Sequence, residues 1–287
     1  MHHRRVFNFG RRIRIALLGV MTVMACFLLS GCTKEWEYNP ITDINNLEGR
    51  RVGVNLSWEA DYYLSDRKDM VLYRYDTTSD QIMALDYDKI DALAMDEIMW
   101  KTVESLSTGL EKVEPSFGET GSILYLGSDD KELRDEFNEF LAEYKKTEEY
   151  RDYLERVSAY EGLYEGPDIP LTGTGPVLRV AVMSEGYPRS FWEPGEDQPQ
   201  GFDMEALMRF ANAKNYQLEF ALSTYEDGFT GLINGLYDIQ IGYLSDIYAF
   251  EVENYGLYVS DSMDKNPMYF VQKKQRDISV DLDAIEE

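Results

Sequence analysis

The sequence predicts an α/β protein built from two similar lobes, and three observations lead to that prediction. Strand and helix patterns alternate over residues 51–107 and alternate again over residues 178–242. A segment rich in glycine and proline, residues 158–177, separates the two blocks. A helix, a tight turn and a strand that opens with aspartate occur once in each block. Alternation of this kind is typical of a mainly parallel sheet covered by helices.

The N-terminal segment, residues 1–31, has the features of a lipoprotein signal peptide. Five arginines flank the start of an apolar run from about Ile15 to Leu29. The length of this run is close to the ~7–15 residues of a signal-peptide core. It is shorter than the about 20 residues that a membrane-spanning helix needs. The segment ends in Leu29-Ser30-Gly31-Cys32, which resembles the bacterial lipobox. We expect a lipid on Cys32 that holds the chain to the extracytoplasmic face of the cell membrane, in the periplasm or at the cell surface. An uncleaved N-terminal anchor is the alternative.

Cleavage before Cys32 would leave a strongly acidic chain without a disulfide. The full chain has 28 Lys+Arg and 53 Asp+Glu, and the signal segment takes away five arginines and no acid. This balance argues against nucleic acid as a partner, because nucleic-acid binding requires clustered positive charge. Cys26 would leave with the signal segment, so the stability of the mature chain must come from a hydrophobic core.

Residues 32–45 lack apolar periodicity and are predicted to be a tether. The first block follows, with predicted strands at 51–54, 70–75 and 90–95. Predicted helices run from near Ser57 to Leu64, from Thr78 or Ser79 to Leu85, and from the third strand to about Ser107. These assignments rest on hydrophobic periodicity and on helix-capping side chains.

The remaining patterns predict a strand at 122–126 and then a long helical stretch, 129–157, with a break near Lys146-Thr147. After the linker, the second block has predicted strands at 178–182, 217–222 and 238–242, and predicted helices at 203–214 and 228–236. Asp91 and Asp238 open equivalent strands of the two blocks. Two such lobes predict a cleft between them, where ligands of open α/β sheets bind beyond the carboxyl ends of the strands.

Several stretches are similar to the bacterial extracellular solute-binding proteins of family 3, the amino-acid-binding type of ABC importers. The family's first lobe is resembled by Leu178-Arg179-Val180-Ala181-Val182, Gly186-Tyr187-Pro188, Gly201-Phe202-Asp203 and residues 231–239. Its second lobe is resembled by residues 46–54 and by Ile90-Asp91-Ala92-Leu93-Ala94-Met95-Asp96. The resemblance implies a two-lobed periplasmic-binding-protein-like fold of type II, with a hinge between the lobes.

The order of these stretches differs from the order in the family. Residues 46–120 resemble lobe 2, residues 121–157 the closing strand and helices that pack on lobe 1, and residues 178–287 lobe 1. Residues 158–177 then become the linker that joins the family's two chain ends. We expect a circular permutation with the lobe order exchanged. The alternative is a truncated tandem, in which the back half of one binding protein precedes the front half of the next.

The resemblance also implies where a ligand would bind. The family arginine that meets an amino acid's carboxylate falls near Ala249 or Phe250 and is absent, and Ser57-Trp58 replaces the family's Gly-Thr loop. This loss favours a cationic or neutral ligand. The expected ligand-binding residues are Asp96, Ser57, Trp58, Tyr187, Arg189, Phe191, Tyr243 and Ser245.

Four of these residues have two interpretations. Asp96 matches the family's acid, which faces a ligand ammonium, and it is equally suited to capping a helix. Tyr187 and Phe191 match aromatic walls of the family site, or they are ordinary core residues. Arg189 is a substitute cation for the site, or an exposed surface arginine.

The functional expectation is a lipid-anchored, monomeric solute-binding protein. It would capture an amino acid or a related amine or peptide for an ABC permease, by hinge closure of the lobes. The alternative is a lipoprotein that has lost ligand binding and acts as a sensor or interaction scaffold. The only histidines, His2 and His3, lie in the signal segment, so we expect no catalytic triad, no histidine zinc site, no cofactor and no enzyme activity.

Overall fold

Nine strands form one connected sheet in the computed structural model, which describes residues 39–183, 186–244 and 252–274. The strands are β1 Arg51–Asn55, β2 Val71–Tyr75, β3 Ala92–Asp96, β4 Leu110–Leu126, β5 Val177–Met183, β6 Gln217–Ser223, β7 Ile239–Leu244, β8 Tyr258–Val259 and β9 Asn266–Lys273. Their order across the sheet is β2-β1-β3-β9-β4-β7-β5-β6, and β8 pairs with β4.

Seven helices cover this sheet within the described residues. They are α1 Glu59–Leu64, α2 Thr78–Asp86, α3 Glu97–Leu106, α4 Lys131–Tyr144, α5 Glu148–Ala159, α6 Phe202–Lys214 and α7 Tyr225–Ile233. The prediction of an α/β fold is therefore confirmed.

The two ends of the sheet have the same local topology. In one end β1 lies parallel to β2 and β3, and β3 lies antiparallel to β9. In the other end β5 lies parallel to β6 and β7, and β7 lies antiparallel to β4. We call the end with β1–β3 and α1–α3 lobe 2, and the end with β5–β8 and α4–α7 lobe 1.

A repeated ion pair marks the equivalence of the lobes. Arg51 Nη2 lies 2.6 Å from Asp91 Oδ1 in lobe 2, and Arg179 Nη2 lies 2.5 Å from Asp238 Oδ1 in lobe 1. Each aspartate also accepts the backbone N–H of its arginine, at 2.8 Å and 2.7 Å respectively. The aspartate that opens the third strand thus holds the first strand in register, which explains why the same pattern occurs in both blocks of the sequence.

Strands β4 and β9 connect the lobes. β4 pairs with β9 through Leu110–Val113 and again through Gly118–Thr120, with a register shift between the two stretches, and then with β7 through Gly121–Leu126. The sequence predicted only residues 122–126 as a strand here. The earlier half, rich in polar residues and glycine, becomes a strand because β9, far away in the sequence, supplies its hydrogen-bond partners.

Helices on both faces bury the parallel strands, as is usual for sheets of this kind. The core of lobe 1 lies between the sheet and helices α4 and α6, with Phe137, Leu207 and Phe210 fully buried. Separate apolar clusters cover the two faces of the lobe 2 strands. The predicted apolar face of the long helical stretch, including Phe137 and Leu141, packs into the lobe 1 core.

Threonine caps fix the starts of three helices. Thr77, Thr147 and Thr224 accept hydrogen bonds from the backbone N–H of the residue three positions later, which satisfies free donors of the first turn. Thr147 produces the predicted break, because α4 ends at Tyr144 and α5 begins at Glu148. Thr224 starts α7 at Tyr225, three residues before the predicted start at 228.

Residues 160–176 contain no helix or strand and run along lobe 1. The backbone N–H groups of Thr172 and Thr174 donate to the side chains of Asn212 and Asn215, at 2.8 Å and 3.0 Å. At the lobe 2 end, the backbone N–H of Ile41 donates to Gln272 Oε1 at 2.8 Å.

In the part of the chain that the structure describes, none of the helices combines the length and the apolar character needed to cross a bilayer.

Candidate functional site

A cavity of about 320 Å³ lies where the two lobes meet. It is at the carboxyl ends of β1, β2, β5 and β6, the position where open α/β sheets bind ligands. Lobe 2 lines it with Asn55, Leu56, Trp58, Asp76, Thr77 and Thr78, and lobe 1 with Met183, Ser223, Thr224, Tyr225 and Glu226. Among the described residues, the lining includes a carboxylate from each lobe, Asp76 and Glu226, and no arginine or lysine.

Arg189, in the loop that follows β5, lies inside the molecule. Only 4% of the residue is exposed. Its Nη1 lies 3.1 Å from Asp203 Oδ1 and 3.2 Å from Asp264 Oδ2, and it contacts Ser122 Oγ. The interpretation of Arg189 as an exposed surface arginine is therefore wrong. Two buried carboxylates compensate its charge, as burial of a cation requires.

The two acids beside Arg189 titrate differently. Burial alone would raise the pKa of Asp264. The pKa is nevertheless lowered, because the charge of Arg189 and hydrogen bonds from the backbone N–H of Ser122 and the Tyr153 hydroxyl stabilise the carboxylate. Burial raises the pKa of Asp203 to about 7 in spite of Arg189. Asp264 has more donors to its oxygens, whereas Asp203 Oδ2 has no partner among the described residues. We therefore place the permanent negative charge on Asp264 and the exchangeable proton on Asp203.

Lobe 2 contributes two buried acids whose charges interact with that of Arg189. Asp96 is 3% exposed, and its Oδ1 accepts the backbone N–H of Met99 at 2.9 Å, so it caps α3. Glu59, the first residue of α1, is 4% exposed. Burial, followed by the charge of Asp96, raises the pKa of Glu59 to about 8, while the charge of Arg189 acts in the opposite direction. Glu59 Oε2 has no hydrogen-bond partner among the described residues.

Sequence reasoning did not single out Glu59. An acid in the first turn of a helix is common because it interacts favourably with the helix dipole. The sequence therefore carries no signal that separates this buried carboxyl from an ordinary exposed one.

Trp58 and Tyr243 meet across the boundary between the lobes. Their ring centroids are 6.1 Å apart, at an interplanar angle of 44°. The guanidinium carbon of Arg189 lies 5.2 Å from the Tyr243 ring centroid. Tyr243 is 6% exposed, burial raises the pKa of its hydroxyl, and that hydroxyl has no partner among the described residues.

The structure thus brings Trp58, Asp96, Arg189 and Tyr243 together, with Ser57 at the start of the same loop as Trp58. Ser57 has a φ of 61°, in the left-handed region, and its backbone N–H donates to Asp61 Oδ2 at 3.1 Å. Ser245, and the stretch near Ala249 where the family arginine would fall, lie outside the described residues.

Tyr187 and Phe191 belong to a different cluster. The Tyr187 hydroxyl donates to the carbonyl of Gly162 at 3.1 Å and accepts the backbone N–H of Tyr164 at 2.9 Å. The Phe191 ring centroid lies 4.8 Å from that of Tyr187 and 5.5 Å from that of Tyr164. These contacts hold the linker on lobe 1. Both residues therefore pack as ordinary core residues, which is the second of their two interpretations.

Two further contacts join the lobes. The hydroxyl groups of Tyr62 in lobe 2 and Tyr225 in lobe 1 interact, and Tyr225 donates to the Tyr125 hydroxyl at 3.1 Å. The hydroxyls of Thr102 in α3 and Tyr160 after α5 also lie 2.8 Å apart. The lobes are therefore in contact at two separate places. Among the described residues, no group of three or more His, Cys, Asp or Glu side chains is arranged to hold a metal ion.

No protein-family model and no curated protein sequence matches the chain. Solved structures with a similar fold include a probable amino-acid ABC transporter extracellular-binding protein of Bacillus subtilis, at 10% identity. That alignment covers 80% of this chain and 86% of the other, with a TM-score of 0.42. The zinc-bound ligand-binding component of an ABC-type import system of Staphylococcus aureus is 9% identical over 79% of this chain and 66% of the other, with a TM-score of 0.42.

The ligand-binding core of GluR0, in complex with L-glutamate, is 13% identical over 80% of this chain and 86% of the other, with a TM-score of 0.39. At these identities the likeness is one of fold.

Proposed function

We propose that this chain is a solute-binding protein that captures a small polar solute between its lobes and presents it to an ABC permease in the membrane. The solute is an amino acid or a related amine or peptide. One observation carries the proposal: a cavity of about 320 Å³ lies at the carboxyl ends of strands from both lobes and is lined by side chains of both.

The connection between the lobes supports hinge closure. In the described residues, two strands, β4 and β9, pass between the lobes, and their pairing shifts register between Val113 and Gly118. A solute that contacts both lobes binds the closed arrangement better than the open one and so shifts the population towards it. The permease would then recognise the closed arrangement.

A lipid on Cys32 would attach the protein to the membrane. Within the folded part of the chain, the backbone N–H of Ile41 donates to Gln272 Oε1, at the lobe 2 end of β9.

A circular permutation is supported by where the chain segments lie. The end of β9 lies beside Ile41, and the linker runs along lobe 1 to join α5 to β5. We expect a rearranged chain to fold in which Lys274 is joined to Pro40 by a short glycine-serine loop and the linker is opened between Gly166 and Pro167. Size-exclusion chromatography with light scattering should show a monomer that melts within a few degrees of the natural chain. A rearranged chain that stays unfolded, or is folded only as a dimer, would favour the truncated tandem.

The solute-binding proposal is tested by a thermal-shift screen of residues 33–287 against amino acids, polyamines, short peptides and sugars. A ligand that binds only the folded chain at a hundred times its Kd stabilises it by about 2.7 kcal/mol. We expect one chemical class to raise the Tm of a single transition. Binding should also change the fluorescence of Trp58, and a Trp58→Phe variant should lose that change.

A cooperative transition that no compound moves would contradict solute binding. It would favour the second candidate, a lipoprotein that acts as a sensor or interaction scaffold. The sequence feature behind that candidate is the absence of an arginine near Ala249 and Phe250.

A further inference from the structure

A second cavity, of about 630 Å³, lies in lobe 1, and the described residues that line it all belong to lobe 1 or to the linker. Tyr164 and residues 166–171 form one wall, residues 196–201 form the other, and the first two turns of α6 complete the lining. We call this site the linker cavity. Its volume falls within the about 300–1,000 Å³ of cavities that bind small organic molecules.

Hydrogen bonds hold both walls of the linker cavity in place. Gln198 Nε2, in the loop wall, donates to the carbonyl of Ile169, in the linker wall, at 3.2 Å. Trp192 Nε1 donates to the carbonyl of Glu196 at 2.9 Å, which fixes the start of the loop wall. Because the walls are already fixed, a ligand that enters has to order little of the protein.

The buried part of the lining is apolar. Met204, Met208 and Ile169 are 1%, 3% and 7% exposed. Tyr164, which is half-buried, adds an aromatic ring. Methionine side chains adapt to the shape of what they contact, and an aromatic ring attracts a cation. The interior therefore suits the apolar body of a ligand.

The exposed part of the lining is acidic. The side chains of Asp168, Glu196 and Asp197 are exposed and make no hydrogen bond or ion pair with other described residues. Glu205, the fourth acid of the lining, is compensated by Arg156. Among the described residues, the lining contains no lysine and no arginine. The linker cavity therefore has an excess of negative charge, which attracts cations.

We propose that the linker cavity binds a small organic cation with an apolar body, such as an arylalkylamine. The ammonium group lies near Asp168, Glu196 and Asp197, and the apolar body contacts Met204 and Met208. A metal ion does not suit the site, because the described residues include no group of three or more His, Cys, Asp or Glu side chains arranged to hold one. The linker cavity is separate from the interlobe cavity, so this inference goes beyond the proposed function and does not rest on it.

Methionine signals report on each cavity separately. Met204 and Met208 line the linker cavity, whereas Met183 lines the interlobe cavity. The full chain is labelled with ¹³C at the methionine methyl groups and studied by NMR in mild detergent, and the signals are assigned by single Met→Leu substitutions. The probe is phenethylamine, and the matched compounds are 2-phenylethanol, which is neutral, and 3-phenylpropionate, which is an anion. We expect saturable shifts of the Met204 and Met208 signals with the amine, and about tenfold weaker binding of the alcohol and the anion.

Two double variants locate the charge that the amine recognises. Asp168→Asn with Asp197→Asn removes two exposed acids that have no described partner, so it should leave the Tm unchanged and weaken amine binding by about tenfold. The binding of 2-phenylethanol should not change in this variant. Asp76→Asn with Glu226→Gln is the matched control, because it removes the same number of exposed acids from the interlobe cavity. In this control the shifts of Met204 and Met208 should follow those of the natural chain.

Each contrary outcome overturns the assignment without deciding the proposed function. A shift confined to Met183 would place the amine between the lobes, which contradicts the linker site and agrees with solute binding. Equal affinities for the amine and the alcohol, or equal losses in both double variants, would show that the three acids do not select a cation. If Met204 and Met208 do not respond at about 10 mM amine, which saturates a site with a Kd of about 1 mM, the linker cavity does not bind such cations. The thermal-shift screen for solutes would still decide the proposed function by itself.

Discussion

Glu59 shows how the fold changes the chemistry of a single residue. The side chain stands at the start of α1, where an acid is ordinarily exposed, but only 4% of the residue is exposed. Burial and the nearby Asp96 raise its pKa from 4.5 to about 8. The folded protein therefore retains a proton that the unfolded chain releases.

This difference predicts that stability falls as the pH rises. A carboxyl whose pKa is raised in the folded state contributes stability that is fully present below the unfolded pKa and is lost as the pH rises through the folded pKa. For Glu59 the window runs from 4.5 to about 8, and for Asp203 from 3.8 to about 7. We expect the Tm to decrease between pH 5 and pH 8, measured by differential scanning calorimetry.

Glu59→Gln should make this decrease shallower, because the amide has no proton to lose and only the contribution of Asp203 remains. Glu155→Gln, a substitution of an exposed glutamate in α5, is the control and should follow the natural chain. A Glu59→Gln variant whose Tm depends on pH as steeply as the natural chain would show that Glu59 is ionised in the folded state.

At the scale of elements, α5 is attached to lobe 1 by a buried ion pair. Arg156 Nη1 and Nη2 donate to the two oxygens of Glu205, in α6, at 2.6 Å and 2.7 Å. The Glu205 side chain is 2% exposed and that of Arg156 28%. The Tyr164 hydroxyl also donates to Glu205, at 3.2 Å, so the linker is held at the same point.

Arg156→Ala should therefore be strongly destabilising. It leaves a buried carboxylate without its cation, and loss of one partner of a buried pair costs about 3–5 kcal/mol. Because Arg156 is partly exposed, we expect the lower end of this range, measured as the free energy of unfolding in urea. Lys146→Ala removes an exposed ion pair with Glu143 and should change the same quantity by less than about 1 kcal/mol. Similar losses in both variants would argue against the buried pair.

Strand β4 is the element that sequence patterns describe least well. Its second half is apolar and was predicted, whereas its first half contains charged side chains, a proline and glycines. Gly121 shows why a small residue is needed where β4 passes between the lobes, since a Cβ there would lie 2.5 Å from the backbone oxygen of Asp264. Such requirements come from segments that are distant in the sequence.

At the scale of the whole molecule, β4 and β9 make the two lobes one folding unit. β9 pairs with β3 of lobe 2 and with two stretches of the lobe 2 half of β4, while the rest of β4 completes the lobe 1 sheet. Ile98 of α3 also packs with Tyr153, Tyr160 and Phe202 on lobe 1. Loss of structure in one lobe should therefore remove partners from the other.

We accordingly expect a single unfolding transition for both lobes. Leu93→Ala in β3 and Leu207→Ala in α6 each truncate a fully buried side chain and should each cost about 2–5 kcal/mol. Hydrogen exchange followed by mass spectrometry should show that Leu93→Ala, in lobe 2, also speeds exchange in β5 and β7 of lobe 1. Faster exchange confined to the mutated lobe would mean that the lobes unfold independently.

The sequence by itself determined the α/β class, the two repeated blocks, the helix break at Thr147 and the equivalent aspartates Asp91 and Asp238. These features depend on local periodicity, on capping side chains and on turns, all of which act between residues close in the chain. The sequence also pointed to Asp96, Trp58 and Tyr243, through the resemblance of their surroundings to a known family.

Only the tertiary structure decided the environment of Arg189, the burial of Glu59 and the length of β4. It also decided that Tyr187 and Phe191 lie in a different cluster from Trp58 and Tyr243. The physical reason is the same in each case. Whether a charged side chain is buried, and which acid or donor faces it, depends on segments far apart in the sequence, such as residues 122, 189, 203 and 264. Charge and hydrogen-bond pairing across such distances leave no local pattern, so they emerge only when the lobes are assembled.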